Sequence, residues 1–308
     1  MSDSPLVAVP LRPLTIDPRT HPRGQAHISA ASGLVCRNGR AYVIADDEIH
    51  LAVFCDHGST GRLHRILPGQ LPDDLHARKK RKPDFETLFL LPSRSIGGSA
   101  LVAFGSGSRE NRNLGVLVPL DSDGEPSGPP SRFDLTPWYA PLCARLGDIN
   151  IEGAFVIADE LVLLNRGIAD RTDNAAVRYS VPDLLELIAG RGAKVKPTSI
   201  QRYRLGDIDG VSLGFTDGAA LPGGGWVFTA VAENTADSFV DGPCAGAIVG
   251  VVSPQGEVVA RHRLSRPLKV EGIDARAHRN GFAVCMVTDD DDPSQPSCLL
   301  RATLRRRA

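Results

Sequence analysis

Glu152-Gly153-Ala154-Phe155-Val156-Ile157 begins with an acidic residue, follows it with a small one and then runs apolar. The same signature occurs at Ser32-Gly33-Leu34, Glu86-Thr87-Leu88, Asp217-Gly218-Ala219 and Glu271-Gly272-Ile273, at separations of 54, 66, 65 and 54 residues. A repeat at this period is the mark of an array of equivalent supersecondary units. Within the first interval, Ser32 to Val35, Ala41 to Ala45, Leu51 to Phe54 and Arg62 to Leu67 read as four short strands, the first two joined by the turn Arg37-Asn38-Gly39-Arg40. The next three intervals divide in the same way. The fifth holds only three strands, Glu271 to Arg276, Phe282 to Thr288 and Cys298 to Leu304, and the run Leu6 to Ile16 ahead of the first motif supplies the fourth. Closing the ring in this way leaves no open sheet edge between the first and last units. The sequence therefore predicts an all-β fold: one five-bladed β-propeller domain over residues 1–308, four antiparallel strands per blade, closed by the N-terminal strand.

Composition agrees with many short strands. There are 31 glycines and 23 prolines against 5% aromatic residues, and 42% of the chain is hydrophobic, enough for a large core. A formal net charge of −1 provides no global field for nucleic acid or an anionic membrane, so neither is expected as a partner. Met1 to Pro13 lacks a basic region followed by an apolar core, and no apolar run is long enough to span a bilayer, which points to the cytoplasm. Cys36, Cys55, Cys143, Cys244, Cys285 and Cys298 show neither a paired CxxC nor a finger spacing, so no disulfide or zinc site is assigned. Val181-Pro182-Asp183 through Gly190 reads as a short helix, with Pro in the first turn and Gly at the stop. The basic run Lys79-Lys80-Arg81-Lys82, within Gln70 to Asp84, reads as a solvated loop, with a phosphate or nucleic-acid patch as the alternative.

The first strand of each propeller blade lines the central channel, so residues that open first strands face one another. That places Ser32, Glu86, Glu152, Asp217 and Glu271 in a ring at one mouth of the channel. Four carboxylates held together raise one another's pKa, and a hard cation relieves the conflict. Calcium, with 6 to 8 oxygen ligands in flexible geometry, suits such a ring better than magnesium, which remains the other candidate. The competing structural reading makes each acid a cap for backbone N–H groups of the adjacent blade. The exits of the second strands build a rim around the ring: Asp46-Asp47-Glu48, Ser106 through Arg112, Asn165-Arg166-Gly167 with Asp170 and Arg171 beyond, Glu233-Asn234, and Asp289-Asp290. In this rim Asp46, Asp47, Arg109 and Arg166 are the candidate catalytic residues, and Arg112, Asn165, Arg171, Glu233 and Asn234 the candidate substrate-binding ones. Each also fits an ordinary ion pair in a loop. No G-x-S-x-G, HExxH or P-loop occurs, so serine-nucleophile, zinc-hydrolase and Walker-type readings lack support.

At these residues the chain resembles the soluble calcium-activated nucleotidase (apyrase) family of five-bladed propellers. Ser32-Gly33-Leu34-Val35, then Asn38-Gly39-Arg40-Ala41-Tyr42 and Asp46-Asp47, is similar to that family's first blade. Glu86, Glu152-Gly153-Ala154 and Val270-Glu271-Gly272-Ile273 match blades in which the glutamate is a calcium ligand. Asn165-Arg166 stands where the family has an arginine pair, and Asp217 where it has a serine. A weaker similarity is to bacterial phytase-like and esterase-like propellers. The resemblance implies one central calcium and hydrolysis of phosphoanhydride or phosphoester bonds in a small phosphorylated substrate. A non-catalytic propeller with structural calcium, serving as a binding or scaffold protein, and a metal-dependent lactonase or esterase are the alternatives.

Overall fold

The computed structural model describes residues 5–55, 60–91, 97–167, 173–191, 195–233 and 243–305. Each interval of the repeat becomes one antiparallel sheet. Blade 1 comprises β2 (Ala31–Arg37), β3 (Arg40–Ala45), β4 (His50–Cys55) and β5 (Arg62–Arg65). Blade 2 comprises β6 (Phe85–Leu91), β7 (Ser99–Gly105), β8 (Leu114–Leu120) and β9 (Ser131–Asp134). Blade 3 follows with β10 (Ile151–Ile157), β11 (Glu160–Asn165), β12 (Asn174–Ser180) and β13 (Ser199–Tyr203). In blade 4, β15 (Val211–Ala220), β16 (Trp226–Glu233), β17 (Cys244–Val252) and β18 (Val258–Arg263) are joined by the two-residue β14 (Asp207–Ile208), which hairpins onto the start of β15. Blade 5 contains β19 (Val270–His278), β20 (Gly281–Thr288) and β21 (Cys298–Arg305), and its outer strand is β1 (Val9–Pro13).

The N-terminal segment thus closes the ring. Val9 pairs with Arg301 and Pro13 with Cys298. Beyond the strand the chain crosses to blade 1: Leu14 N–H donates to Ser297 O at 2.8 Å, and Gly61 N–H donates to Thr15 O at 2.8 Å. Leu14 and Ile16 are buried in the apolar cluster shared by blades 1 and 5, with Leu34, Val43, Phe54 and Val287. Similar clusters fill the other inter-blade spaces, so the core is a set of layers between sheets. The largest buried rings show this, with Trp138 stacked on Tyr179 at 3.9 Å between blades 2 and 3, and Trp226 packed against Phe155, Phe215 and Phe228.

Five equivalent register shifts organise the inner strands. Each first strand skips one residue in its ladder with the second: between Ala31 and Gly33, Phe85 and Thr87, Ile151 and Gly153, Phe215 and Asp217, and Val270 and Gly272. A bulge re-aims the residue it leaves unpaired. The residue after the bulge sits hard against the next blade, which accounts for the glycines of the motif. A Cβ at Gly33 would lie 2.8 Å from Leu88 N, and one at Gly153 2.8 Å from Asp217 Cα.

Three α-helices decorate the blades among the described residues. Val181–Ile188 forms where the sequence places it, capped by Ser180, which accepts the N–H of Asp183. Thr136–Leu146 has no counterpart in the sequence reading, because Pro137 and Pro141 obscure the pattern, yet it buries Trp138, Tyr139 and Leu142. Leu75–Arg81 corrects the reading of a solvated basic loop, for Arg78 and Lys82 are buried. Among the described residues, no helix is long and apolar enough to cross a membrane.

Candidate metal centre

The bulged residues are Ser32, Glu86, Glu152, Thr216 and Glu271, one per blade. This corrects the sequence reading in blade 4, where the motif-like Asp217 is the residue after the bulge. The side chain of Asp217 crosses to the next blade, and its Oδ2 accepts the N–H of Ile273 at 2.9 Å. The two hydroxyls of the ring do the same job as each other. Ser32 Oγ donates to Phe85 O at 2.5 Å, and Thr216 Oγ1 donates to Val270 O at 2.7 Å. Each carbonyl belongs to the residue before the next blade's bulge. A hydroxyl that gives its proton to a carbonyl keeps oxygen lone pairs for another partner.

A second tier lies just outside. In blades 1, 2, 3 and 5 the ladder register brings the residue two before the bulge opposite the residue leaving the second strand, whereas in blade 4 Gly214 faces Val231 within β16. Asp46 N–H donates to Ala30 O, Ser106 N–H to Asp84 O, Arg166 N–H to Asn150 O and Asp289 N–H to Lys269 O. Asp84, Asn150 and Lys269 are absent from the sequence candidates, although each is a polar residue two positions before a ring glutamate. Lys82, Ser106 and Asp289 complete this tier with Asp46, Arg166 and Glu233.

These side chains form two ion-pair networks, one around Lys82 and Arg112 and one around Arg166 and Lys269, which feel each other through the charges of Asp84, Glu86 and Glu152. Lys82 Nζ contacts Asp46 and lies 2.9 Å from Asp84 Oδ1. Arg112 Nη1 is 2.8 Å from Asp84 Oδ2 and 2.7 Å from Ser108 Oγ, and Ser106 Oγ donates to Asp84 Oδ2. Arg166 Nη2 pairs with Glu233 Oε2 at 2.7 Å, and its Nη1 lies 3.7 Å from Glu152 Oε1, which also accepts from Asn150 Nδ2. Lys269 Nζ is 3.7 Å from both Glu233 Oε1 and Glu271 Oε1, 4.0 Å from Asp289 and 2.5 Å from Asp291.

The remaining sequence candidates sit as follows. Asp47 pairs with Arg78 at 3.0 Å and Arg23 at 3.6 Å. Asn165 is fully buried, and its amide is spent on the backbone: Oδ1 accepts Asn150 N–H, while Nδ2 donates to Arg166 O and Asp173 O. Arg109 is exposed at the start of the short 3₁₀ turn Glu110–Arg112. Arg171 and Asn234 lie outside the described residues.

Eight carboxylates (Asp46, Asp84, Glu86, Glu152, Glu233, Glu271, Asp289 and Asp291) face four cationic side chains (Lys82, Arg112, Arg166 and Lys269), an excess of four negative charges if all ionise. Burial raises the carboxyls of Glu86 and Asp289 well above the usual range, and it pushes Glu152 up to about 7 and Glu271 up to about 8. Neighbouring acids add to this, while Lys82, Arg166 and Lys269 oppose it. For Lys269 burial works to lower the pKa, but Glu271 and Asp289 outweigh it and hold the ammonium charged. Because the folded chain keeps protons on Glu152 and Glu271 that the unfolded chain sheds near pH 4.5, these two groups destabilise the metal-free fold increasingly as pH rises to about 8.

The acidic cluster that shares Glu86 with the ring fits a hard cation. Asp46, Asp84 and Glu86 offer oxygens within 4.8 Å of one another. Glu271 Oε1 is buried without a hydrogen-bond partner, an orphan acceptor of the kind a cation satisfies. Every candidate ligand is an oxygen, as calcium and magnesium require and softer metals do not.

No protein of curated function matches the sequence. Among solved structures, a GH43_1 enzyme from Xanthomonas citri complexed with xylose is 12% identical over 98% of this chain and 91% of that one, with a TM-score of 0.52. An endo-arabinase from Bacteroides thetaiotaomicron is 10% identical over 96% and 99%, at 0.51. The calcium-binding protein regucalcin from Agrobacterium tumefaciens is 12% identical over 97% of each chain, at 0.45. At these identities the likeness to the first two shows the fold alone. The family model that matches spans residues 27–304, from the start of blade 1 to the last strand, and the chain therefore belongs to the Family of unknown function (DUF6929).

Proposed function

We propose that this protein is a calcium-dependent hydrolase of a small phosphorylated substrate, with the ion held by Glu86, Glu152 and Glu271 and by the hydroxyls of Ser32 and Thr216. The observation that carries the reading is the placement of three glutamates at the same bulge in three blades, in a pocket with surplus negative charge. With Thr216 rather than Asp217 in the ring, the order hydroxyl, Glu, Glu, hydroxyl, Glu also follows the serine and glutamate pattern of the nucleotidase family that the sequence resembles. Calcium supplies Lewis acidity at a phosphoryl oxygen when bound. The chain's own residues do the rest. Arg166 and Lys269 present positive charge beside the ring glutamates, where phosphate oxygens rest. Arg109 meets the incoming anion from the rim. Asp46 orients the attacking water, and Asp47, braced by Arg78, shapes the same side of the mouth. Arg112 and Asn165 act as positioning residues, since Arg112 Nη1 is committed to Asp84 and Ser108 and the Asn165 amide to backbone groups.

That commitment of two rim residues favours a second reading, a propeller whose calcium is structural and whose rim binds a partner. Assay of phosphate release from nucleotides and sugar phosphates, beside hydrolysis of lactones and simple esters, separates the readings. The expected result is phosphate release that needs calcium and falls at least about a hundredfold in Glu271→Gln, in the range of losing a group that stabilises transition-state charge. Calcium binding without turnover of any substrate establishes the structural reading, and turnover of lactones alone establishes a lactonase.

A further inference from the structure

The helix Leu75–Arg81 joins blade 1 to blade 2 beside the acidic network and is held in an unusual way. It buries no apolar side chain, and Leu75 is 56% exposed. Polar contacts hold it instead. Asp74 caps its N-terminus by accepting Ala77 N–H at 2.8 Å. Arg78 spans from Asp47 Oδ2, at 3.0 Å, back to the carbonyls of Pro72 and Asp73. Lys82, the C-cap, turns down into the acidic network and joins Asp46 to Asp84. Asn111 and Arg112 of blade 2 donate to carbonyls of Lys79, Lys80 and Lys82 at 3.4 Å.

Lys82 ends in the place where Asp46, Asp84 and Glu86 converge within 4.8 Å, and Glu86 belongs to both this cluster and the ring. The lysine is thus the ring's own monovalent cation, delivered by a helix with no apolar anchorage. We propose that Lys82 is a tethered counter-cation that competes with the bound divalent ion for Glu86 and its neighbours, so that ion binding loosens the helix Leu75–Arg81. This rests on the calcium reading of the ring. A fixed positive charge a few ångströms from a divalent ion, in a partly buried site, opposes its binding by more than about tenfold. A divalent ion repays that opposition by weakening the contacts of Lys82 with Asp46 and Asp84, which are the helix's deepest attachment.

The test uses the full chain, stripped with chelator and titrated with calcium chloride by calorimetry. Lys82→Met keeps most of the side chain's bulk and removes its charge, and its calcium affinity is expected to rise at least about tenfold, whereas Lys82→Arg stays close to wild type. In the wild-type protein, amide exchange of residues 75–82 is expected to speed up when calcium is added. Equal calcium affinity of wild type and Lys82→Met overturns the proposal while leaving the calcium reading intact. Absence of calcium binding to both proteins overturns the calcium reading itself, and this inference with it. If Lys82→Met does not fold, unchanged exchange of residues 75–82 in calcium-loaded wild type overturns the proposal.

Discussion

Deleting residues 1–16 is expected to abolish soluble, folded protein. The loss has two parts. Removing β1 exposes the edge of β21 from Cys298 to Arg301, a row of unpaired N–H and C=O groups ready to pair with other chains. Removing Leu14 and Ile16, which are 0% and 2% exposed, uncovers the apolar layer between blades 5 and 1. Each such side chain is worth about 2–5 kcal/mol when truncated in a packed core, against a total stability of about 5–15 kcal/mol for a typical domain. The single change Leu14→Ala, costing about 2–4 kcal/mol, gives the graded version of the effect. Size-exclusion chromatography and circular dichroism of the truncated chain decide the matter. A monomer that melts within a few degrees of full length would show that blade 5 is stable without its outer strand.

This dependence on the N-terminus is legible in the sequence, because the fifth interval of the repeat lacks a strand and Leu6 to Ile16 lies unassigned ahead of the first motif. The chemistry is less completely legible there. Glu86, Glu152 and Glu271 announce themselves as acids before a small or hydroxyl residue and an apolar run. In blade 4 the same rule selects Asp217-Gly218-Ala219, whereas the ladder puts uncharged Thr216 at the bulge of β15, which begins at Val211. A one-residue slip exchanges the faces of a strand, so the motif alone misassigns a ring ligand. The counter-ions are hidden for a related reason. Asp84, Asn150 and Lys269 carry no motif, and only the pairing of second-strand exits with the residues two before each bulge brings them inward. Lys82 is concealed in a basic run that lacks helical amphipathicity, since ion pairs and not apolar contacts fix the helix before it.

Replacing Arg166 with Met is expected to destabilise the metal-free protein by about 3–5 kcal/mol, the usual cost of removing one partner from a buried ion pair. Arg166 pairs with Glu233 at 2.7 Å and faces Glu152 at 3.7 Å, and its charge is held by Glu152, Glu271 and Glu233 despite burial. Its loss leaves acids in a pocket that already has more carboxylates than cations. Two further measurements identify the cause as charge. Adding Glu233→Gln to Arg166→Met should recover much of the lost stability, since the two residues share a network and their effects are not additive. Calcium should also stabilise the Arg166→Met protein more than the wild type, because the ion then supplies the missing positive charge. Urea unfolding of wild type and both variants, with chelator and with calcium, reads each difference. A cost below about 1 kcal/mol, the level of a surface pair, would mean that water screens the network.

Calcium titration of chelator-stripped protein, followed by calorimetry and thermal melting, shows whether the ring binds calcium. The ring predicts one tight site and a raised melting temperature. At about a hundred times the dissociation constant, the native state gains about 2.7 kcal/mol. Glu152→Gln and Glu271→Gln should each weaken binding while leaving the metal-free protein as stable as wild type or more so, because each removes a carboxyl that burial already keeps from ionising freely. Protein verified as metal-free by elemental analysis that takes up no calcium, with an unchanged melting temperature, would contradict the account and leave the ring as a set of caps between blades.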